Sequence, residues 1–296
     1  MVSVMGMYDL LARVPVLGDD PFVHIMFDVP GRVGQPAPFW RYWISTLVVG
    51  PLFFLISATL LSLYTGEWAK RASMRREAWI SIKGLIVTSP FIAWVFQRFT
   101  ESRSGHFYYD VADEPFAGYT LLLTPMLFFV VADVTFYVGH RSFHEIPGLY
   151  RLSHYHHHSC RPCTSFAGNA ADAFELIFTG HANAIMPAFL LPMHAKTYLA
   201  LAIFNQYWSI YLHNYEGHRM PWGIFSCFDH NIHHHYGKRN YNFGLYFQFW
   251  DRVCGTYRAA PGGGRMFSGS HATALHDGAE GARHRARVAG ETKKGT

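Results

Sequence analysis

The stretch GYTLLLTPMLFFVVADVTFYVGHRSFHEIPGLYRLSHYHHH, residues 118–158, decides the fold, because it joins a bilayer-length apolar run directly to a dense set of histidines. Gly118 to Val138 is about the ~20 residues needed to span hydrocarbon, with Asp133 as its one charge. His140 and His144 (H-x-x-x-H) follow, then His154, His157 and His158 (H-x-x-H-H). Further along stand His213 and His218 (H-x-x-x-x-H) and His230, His233 and His234 (H-x-x-H-H). On a helix, positions three or four apart share a face with β-carbons ~5–6 Å apart, so the first pair and each triplet are expected to converge on one point. A separation of five turns two side chains roughly 140° apart, so His213 and His218 require a broken helix, for which Gly217 and Pro221 provide. His156 and His235 point away by the same reasoning and are left out of the ligand set.

Working outward, four more apolar stretches complete an all-α, polytopic membrane bundle of about five spans. Phe39 to Tyr64 and Ala78 to Gln97 precede the opening run, and Lys83 in the second lies where its side chain can reach the interface. Leu176 to Leu191 and Ala195 to Leu212, joined at Pro192-Met193-His194, read as a tight hairpin. Lys70, Arg71, Arg75 and Arg76 after the first span form a cytoplasmic signature, so the chain is expected to start outside. Counting spans then brings all four histidine groups to the cytoplasmic face.

Composition agrees. Half of the 296 residues are apolar, 17% are aromatic and 15% are charged, against a usual ~25% charged. The net charge of +5 does not indicate nucleic acid, because residues 258–296 alone hold seven Arg or Lys against three acids. Three segments are expected: a lumenal lead-in, residues 1–38, broken by Pro and Gly; a membrane-embedded catalytic domain, 39–258; and a disordered basic tail, 259–296. The tail ends Lys293-Lys294-Gly295-Thr296, which reads as a dilysine retrieval address for the endoplasmic reticulum. Cys160 and Cys163 have redox or zinc spacing but lack partners, and read as plain thiols.

Imidazole suits iron, zinc, copper and nickel alike, so the ligands alone do not choose the metal. Two divalent ions bound only by neutral imidazoles leave a large positive charge that needs carboxylates around it. Asp133, seven residues before His140 and so on the same face, is the first choice to accept a hydrogen bond from a ligand imidazole. Glu175, Asp229 and Asp251 follow, with Glu145 and Glu216 as weaker members. Because metal ligands must be deprotonated, metal release is expected on mild acidification, near the ordinary histidine range of ~6.5. A transporter or sensor of metal could also carry histidines, although its ligands would sit mid-membrane rather than at helix ends.

The groups around His140, His154 and His230 resemble the three histidine boxes of the membrane fatty acid hydroxylase and sterol desaturase superfamily, most closely those of the lathosterol oxidase type. Tyr241-Asn242-Phe243-Gly244 and the run from Trp250 to Arg258 are similar to the same group, and the likeness covers about Gly118 to Arg258. The chain departs from it at Asn169, Asp172 and Ala173, where that type carries two more histidines, the second followed by proline. The resemblance implies a non-haem centre of two Fe ions, with Zn as a replacement in purified samples. It also implies dioxygen as oxidant and electrons from a b-type cytochrome that an NAD(P)H reductase reduces. Desaturation of a sterol is the expected reaction, and hydroxylation of a sphingolipid, fatty acyl chain or terpenoid is the alternative. Asn169, Asp172, Phe128 and Trp208 are the expected pocket residues for a lipid that enters from the bilayer.

Overall fold

The structure, a computed structural model, describes residues 38–67, 71–101, 107–108, 117–160, 163–214, 220–221, 223–236 and 240–259. His218, Glu216, the lead-in before Pro38 and the tail after Ala259 lie outside the described residues. The chain divides into one unit through Arg258 and a second from Ala259, and the elements below all belong to the first.

Described residues are mostly helical, with no closed sheet. Helix α1 (Phe39–Thr65) starts after Pro38 and stops at Gly66, whose φ of 79° is one that residues with a Cβ rarely adopt. Helix α2 (Arg71–Glu101) runs back beside it. Tyr42 meets Ala93 at one end of the pair, while Phe54, Ala58 and Leu61 meet Met74 and Leu85 at the other. Helix α3 (Ala117–Glu145) is the third long helix. These three are long and apolar enough to cross a membrane, over Phe39–Thr65, Ala72–Phe99 and Thr120–Glu145. Each holds a proline, Pro51, Pro90 or Pro125, which membrane helices tolerate because neighbours re-satisfy the freed carbonyl. Their outer faces expose Leu52, Ile56, Leu60, Val87, Met126 and Val130, as lipid contact requires.

The remaining helices are shorter. Pro147–Leu149, Tyr150–His154 and Tyr155–His157 run on as α4, whose middle five residues are π-helical. Ala173–Glu175, Leu176–His181 and Ala182–Leu190 form α5, again with a π-helical middle. Helices α6 (Ala195–Leu212), α7 (Cys227–Tyr236) and α8 (Phe249–Val253) complete the set. The expected fourth and fifth spans are thus helical, but α5 and α6 do not match the length and apolarity of the first three. Between them, strand β2 (Met193–His194) pairs in parallel with β1 (Phe107–Tyr108) and ties the hairpin to the link between α2 and α3.

The main core joins Val95 and Phe99 of α2, Phe128 and Ala132 of α3, Ile185 of α5, Tyr198 and Leu199 of α6, and Leu245 and Tyr246. At the other end of the bundle, two buried acids pin the segment after α4. Glu77 accepts from the Thr164 N–H and hydroxyl, and Glu67 accepts from those of Ser165. Cys160 and Cys163 are buried free thiols in this segment.

Gly168 packs directly on the backbone of α6. A Cβ there would stand 3.0 Å from the Ile210 Cα and 3.2 Å from the Ser209 carbonyl oxygen, both backbone atoms of a packed helix. Gly168→Ala is expected to destabilise the fold by about 1–3 kcal/mol through overpacking. Gly50→Ala, with nothing within 4 Å of the new Cβ, should be neutral or stabilising. Thermal unfolding of the two variants checks this, and equal midpoints would refute the packing argument.

Candidate metal centre

Nine of the ten histidines singled out by spacing meet at one end of the bundle. Helix α3 delivers His140 and His144 from its last two turns. Helix α4 delivers His154 and His157, with His158 at its cap. His213 caps the end of α6, so the helix does break at this pair, and α7 brings His230, His233 and His234. The donors form two groups, His140, His144, His154, His158 and His233 in one and His157, His213, His230 and His234 in the other. All nine are buried. His156 is exposed and His235 half-buried, and neither belongs to a group.

The triplets do not each converge on one point, as their spacing had implied. His154 and His158 share a face at i, i+4, while His157 is turned ~100° from His158 and joins the other group. In α7 the roles are exchanged: His230 and His234 go together and His233 crosses over. Each H-x-x-H-H run therefore serves both groups, which fixes their mutual position.

The tautomers reveal what the groups can hold. His140 Nδ1 faces the Phe243 carbonyl at 3.2 Å, His213 Nδ1 that of Ser209 at 2.7 Å and His233 Nδ1 that of Tyr241 at 2.8 Å. A carbonyl only accepts, so each Nδ1 carries the proton and each Nε2 turns a lone pair inward. His154 Nδ1 likewise meets Glu175 Oε1 at 2.8 Å. The Nε2 atoms of His144, His154 and His158 then lie 2.7–3.0 Å from one another. In the second group, the Nε2 of His213 is 3.2 Å from that of His157 and 3.0 Å from that of His230. Lone pairs this close repel unless a cation lies among them. Donors at right angles around an ion at ~2.1 Å stand ~3.0 Å apart, which is the spacing found. The donor set thus fits two metal ions bound by imidazole.

Two carboxylates act on the ligands through backbone. Asp133 was expected to take a hydrogen bond from an imidazole, but two turns of helix carry it ~10 Å from His140. Its Oδ1 instead accepts the N–H groups of Leu245, Tyr246 and Phe247, at 3.0, 2.6 and 3.3 Å. Asp251 accepts those of Phe243 and Gly244 at 2.9 and 2.8 Å, and burial raises its pKa. Five successive amides are so fixed, and with them the Phe243 carbonyl that orients His140. Asn242, at φ 55°, turns the chain into this loop. Asp229 also stands apart from the imidazoles: its Oδ2 takes the Ser226 N–H and hydroxyl at 2.9 and 2.7 Å, a capping box that starts α7.

Glu175 is the carboxylate that meets an imidazole directly, and Asp172 caps the short helix that carries it. Of the other expected pocket residues, Phe128 is fully buried core and the Trp208 indole donates to the Leu245 carbonyl at 2.7 Å. Asn169 is buried with no partner for its Nδ2 among the described residues. None of the four lines the cavity of about 110 Å³ between α2, α5 and α6. Sequence reasoning missed the orienting carbonyls of Ser209, Tyr241 and Phe243, since carbonyls carry no side-chain signal. The Ser226-x-x-Asp229 cap was legible as a motif.

Burial holds the second group neutral. It pushes His157 down to about 3, offset partly by Glu175, and His213 down to about 4. His230 and His234 of this group move down for the same leading reason, as do His158 and His233 of the first group.

The sequence pattern described as Fatty acid hydroxylase matches residues 125–256, which hold all ten of these histidines. The chain is 28% identical over 226 residues to the Delta(7)-sterol 5(6)-desaturase of Candida glabrata, covering 74% of this chain and 61% of that protein. It is 32% identical over 148 residues to cholesterol 25-hydroxylase of Homo sapiens, covering 47% and 53%. To lathosterol oxidase of Homo sapiens it is 28% identical over 151 residues, covering 50% of each. The chain thus spans about half to three fifths of the length of these relatives. No solved structure matches it.

Two expectations follow from this geometry. Glu175→Gln should weaken metal binding by about 10–100-fold, as loss of an imidazole's outer partner does. Glu145→Gln, at an exposed pair with Arg141, should not, and equal losses in a metal-competition titration would exclude the Glu175 role. Histidines with folded pKa values near 3–4 against ~6.5 unfolded bind fewer protons in the native state. Stability of the metal-free chain is therefore full above pH ~6.5 and falls as pH drops toward 4 and then 3, while protons compete with metal only in that lower range. A melting temperature unchanged between pH 7 and 4 would contradict it.

Proposed function

Because the chain belongs to the fatty acid hydroxylase and sterol desaturase superfamily, we propose that it is a membrane-embedded, oxygen-dependent lipid oxidoreductase with two iron ions, and most specifically a sterol desaturase. The observation that carries this reading is the double group of inward-turned imidazole lone pairs. Bound there, iron would supply the redox chemistry: it accepts electrons one at a time, activates dioxygen and removes hydrogen from an unactivated carbon. Zinc in the same positions would leave the site inert.

The chain's own residues do the rest. Five donors hold one ion and four hold the other, with His218 proposed as the fifth of the second group. Glu175 and the Phe243, Tyr241 and Ser209 carbonyls keep the proton on Nδ1 of His154, His140, His233 and His213, so that each Nε2 stays a donor. The Asp133–Asp251 loop keeps those carbonyls in place without spending a charge on the metal. Burial excludes water from the donors, which protects a reactive oxidant from side reactions.

The proposal extends to setting. In this reading five spans lie within residues 39–258 and the centre is at the cytoplasmic face, with the segments 1–38 and 259–296 on the lumenal and cytoplasmic sides and the endoplasmic reticulum as location. A lipid substrate, dioxygen and a b-type cytochrome reduced by an NAD(P)H reductase are the proposed partners. Hydroxylation is a second reading, favoured by the identity to cholesterol 25-hydroxylase, because the same ligands serve loss of two hydrogens or gain of one oxygen.

Expression in cells that lack their own sterol desaturase, followed by mass analysis of sterols, tests the reading. A product lighter by two hydrogens supports desaturation and one heavier by one oxygen supports hydroxylation. Metal uptake without any oxidised lipid would overturn both in favour of a transporter. His157→Ala and His233→Ala, one from each group, should each abolish product and lower bound metal, whereas His156→Ala and His235→Ala should retain both.

A further inference from the structure

The cavity between α2, α5 and α6 has one polar wall and one apolar wall, and three helices agree on which faces the metal centre. Along α6, Tyr198, Ala202 and Gln206 approach His213 in that order. Along α5, His181 lies nearer Glu175 than Ile185 does. On α2, Ile92 lies nearer Glu77, which is bonded to Thr164, than Phe96 does. His181, Asn205 and Gln206 therefore form the wall toward the metal centre, and Phe96, Ile185 and Tyr198 the wall away from it. The space of about 110 Å³ compares with the ~150 Å³ cavity that accepts a benzene ring, so it takes one six-membered ring or three to four waters at ~30 Å³ each.

The polar atoms define the ligand's chemistry. Gln206 Nε2 is a buried donor with no partner among the described residues. His181 Nε2 lies 3.0 Å from Thr88 Oγ1, whose single proton has the Gly84 carbonyl as acceptor at 3.0 Å. His181 thus donates from Nε2 and keeps a lone pair on Nδ1. One donor and one acceptor match a neutral hydroxyl, which both gives and takes a hydrogen bond. An anion has no proton for His181, and a cation has no lone pair for Gln206. Asn205, in the same wall, is already engaged: its Oδ1 takes the Tyr246 hydroxyl at 2.5 Å, and the Tyr246 N–H bonds to Asp133. The wall is thereby continuous with the loop that orients His140.

We propose that this cavity seats the hydroxyl-bearing ring of the lipid substrate, with Gln206 donating to and His181 accepting from that hydroxyl. The inference rests on the lipid-oxidising reading above and narrows it. Seven residues of α6 separate Gln206 from His213, ~10 Å along the axis. Carbons close to the hydroxylated ring are then the ones presented for oxidation, and the far end of a long side chain is not.

The test is equilibrium binding of tritiated lathosterol and its 3-deoxy counterpart to the full chain in lipid nanodiscs, without reductant or dioxygen. Wild-type protein should bind lathosterol about tenfold more tightly, the worth of a buried hydrogen-bonded hydroxyl. Gln206→Leu and His181→Phe should each bring that ratio near one at unchanged metal content and unchanged affinity for the deoxy compound. Ala202→Phe, which fills the apolar part, should weaken both ligands. Equal binding of the two ligands by wild-type protein, as a cavity holding only water predicts, overturns the proposal, as does an unchanged ratio in both polar variants. If the ratio holds but cells make no oxidised sterol, the hydroxyl seat stands and the enzymatic reading falls. Oxidised sterol made without hydroxyl discrimination removes the seat alone.

Discussion

Nine buried imidazoles gathered around two small volumes, four of them with a lone pair fixed inward, are the constraint on which the rest of the structure depends. Neutral nitrogens 2.7–3.2 Å apart can share protons in pairs, but the protons of four of these rings are already committed to oxygen on the outer side. What remains is a set of lone pairs crowded into two small volumes, a conflict that bound cations would relieve. The bundle is arranged to hold that conflict in place until metal resolves it.

Its means of doing so are indirect. Three long helices turn apolar faces outward and fix the end of α3 where His140 and His144 emerge. Four acids, Glu67, Glu77, Asp133 and Asp251, each take backbone N–H groups of a loop rather than an imidazole. Their charge is spent on chain geometry, and among the described residues Glu175 alone of the proposed carboxylates reaches a donor ring. Such a division suits the proposed redox role, since a direct carboxylate on every imidazole would raise ligand basicity throughout. Loops held this rigidly also give the donors a fixed spacing without relying on the metal to create it.

Legibility in the sequence followed the reach of each physical signal. The three long apolar helices were visible because a run of ~20 residues with at most one charge, in a chain this poor in charge, matches the thickness of a bilayer. Histidine spacing singled out the donors, because i, i+3 and i, i+4 relations survive in any helix. The division of His154, His157 and His158 between two groups was not visible, because it depends on where α7 and the end of α6 pass α4. Nor were the π-helical turns at Tyr150–His154 and Leu176–His181, which arise from tertiary packing rather than propensity. Asp133 was rightly picked out as a buried acid but given the wrong partner, since helical phase fixes a face and says nothing of what crosses it. Phe128 and Trp208 illustrate the same limit: an aromatic at a core position packs, whether or not a ligand is near.

The most direct test of the paired-cation account is X-ray absorption on the full chain loaded with iron, together with its iron-to-protein ratio. The account predicts two ions per chain, each surrounded chiefly by nitrogen at ~2.1 Å with the outer scattering of imidazole rings and no sulfur. A single ion per chain, or a shell dominated by sulfur or by carboxylate oxygen, would contradict it.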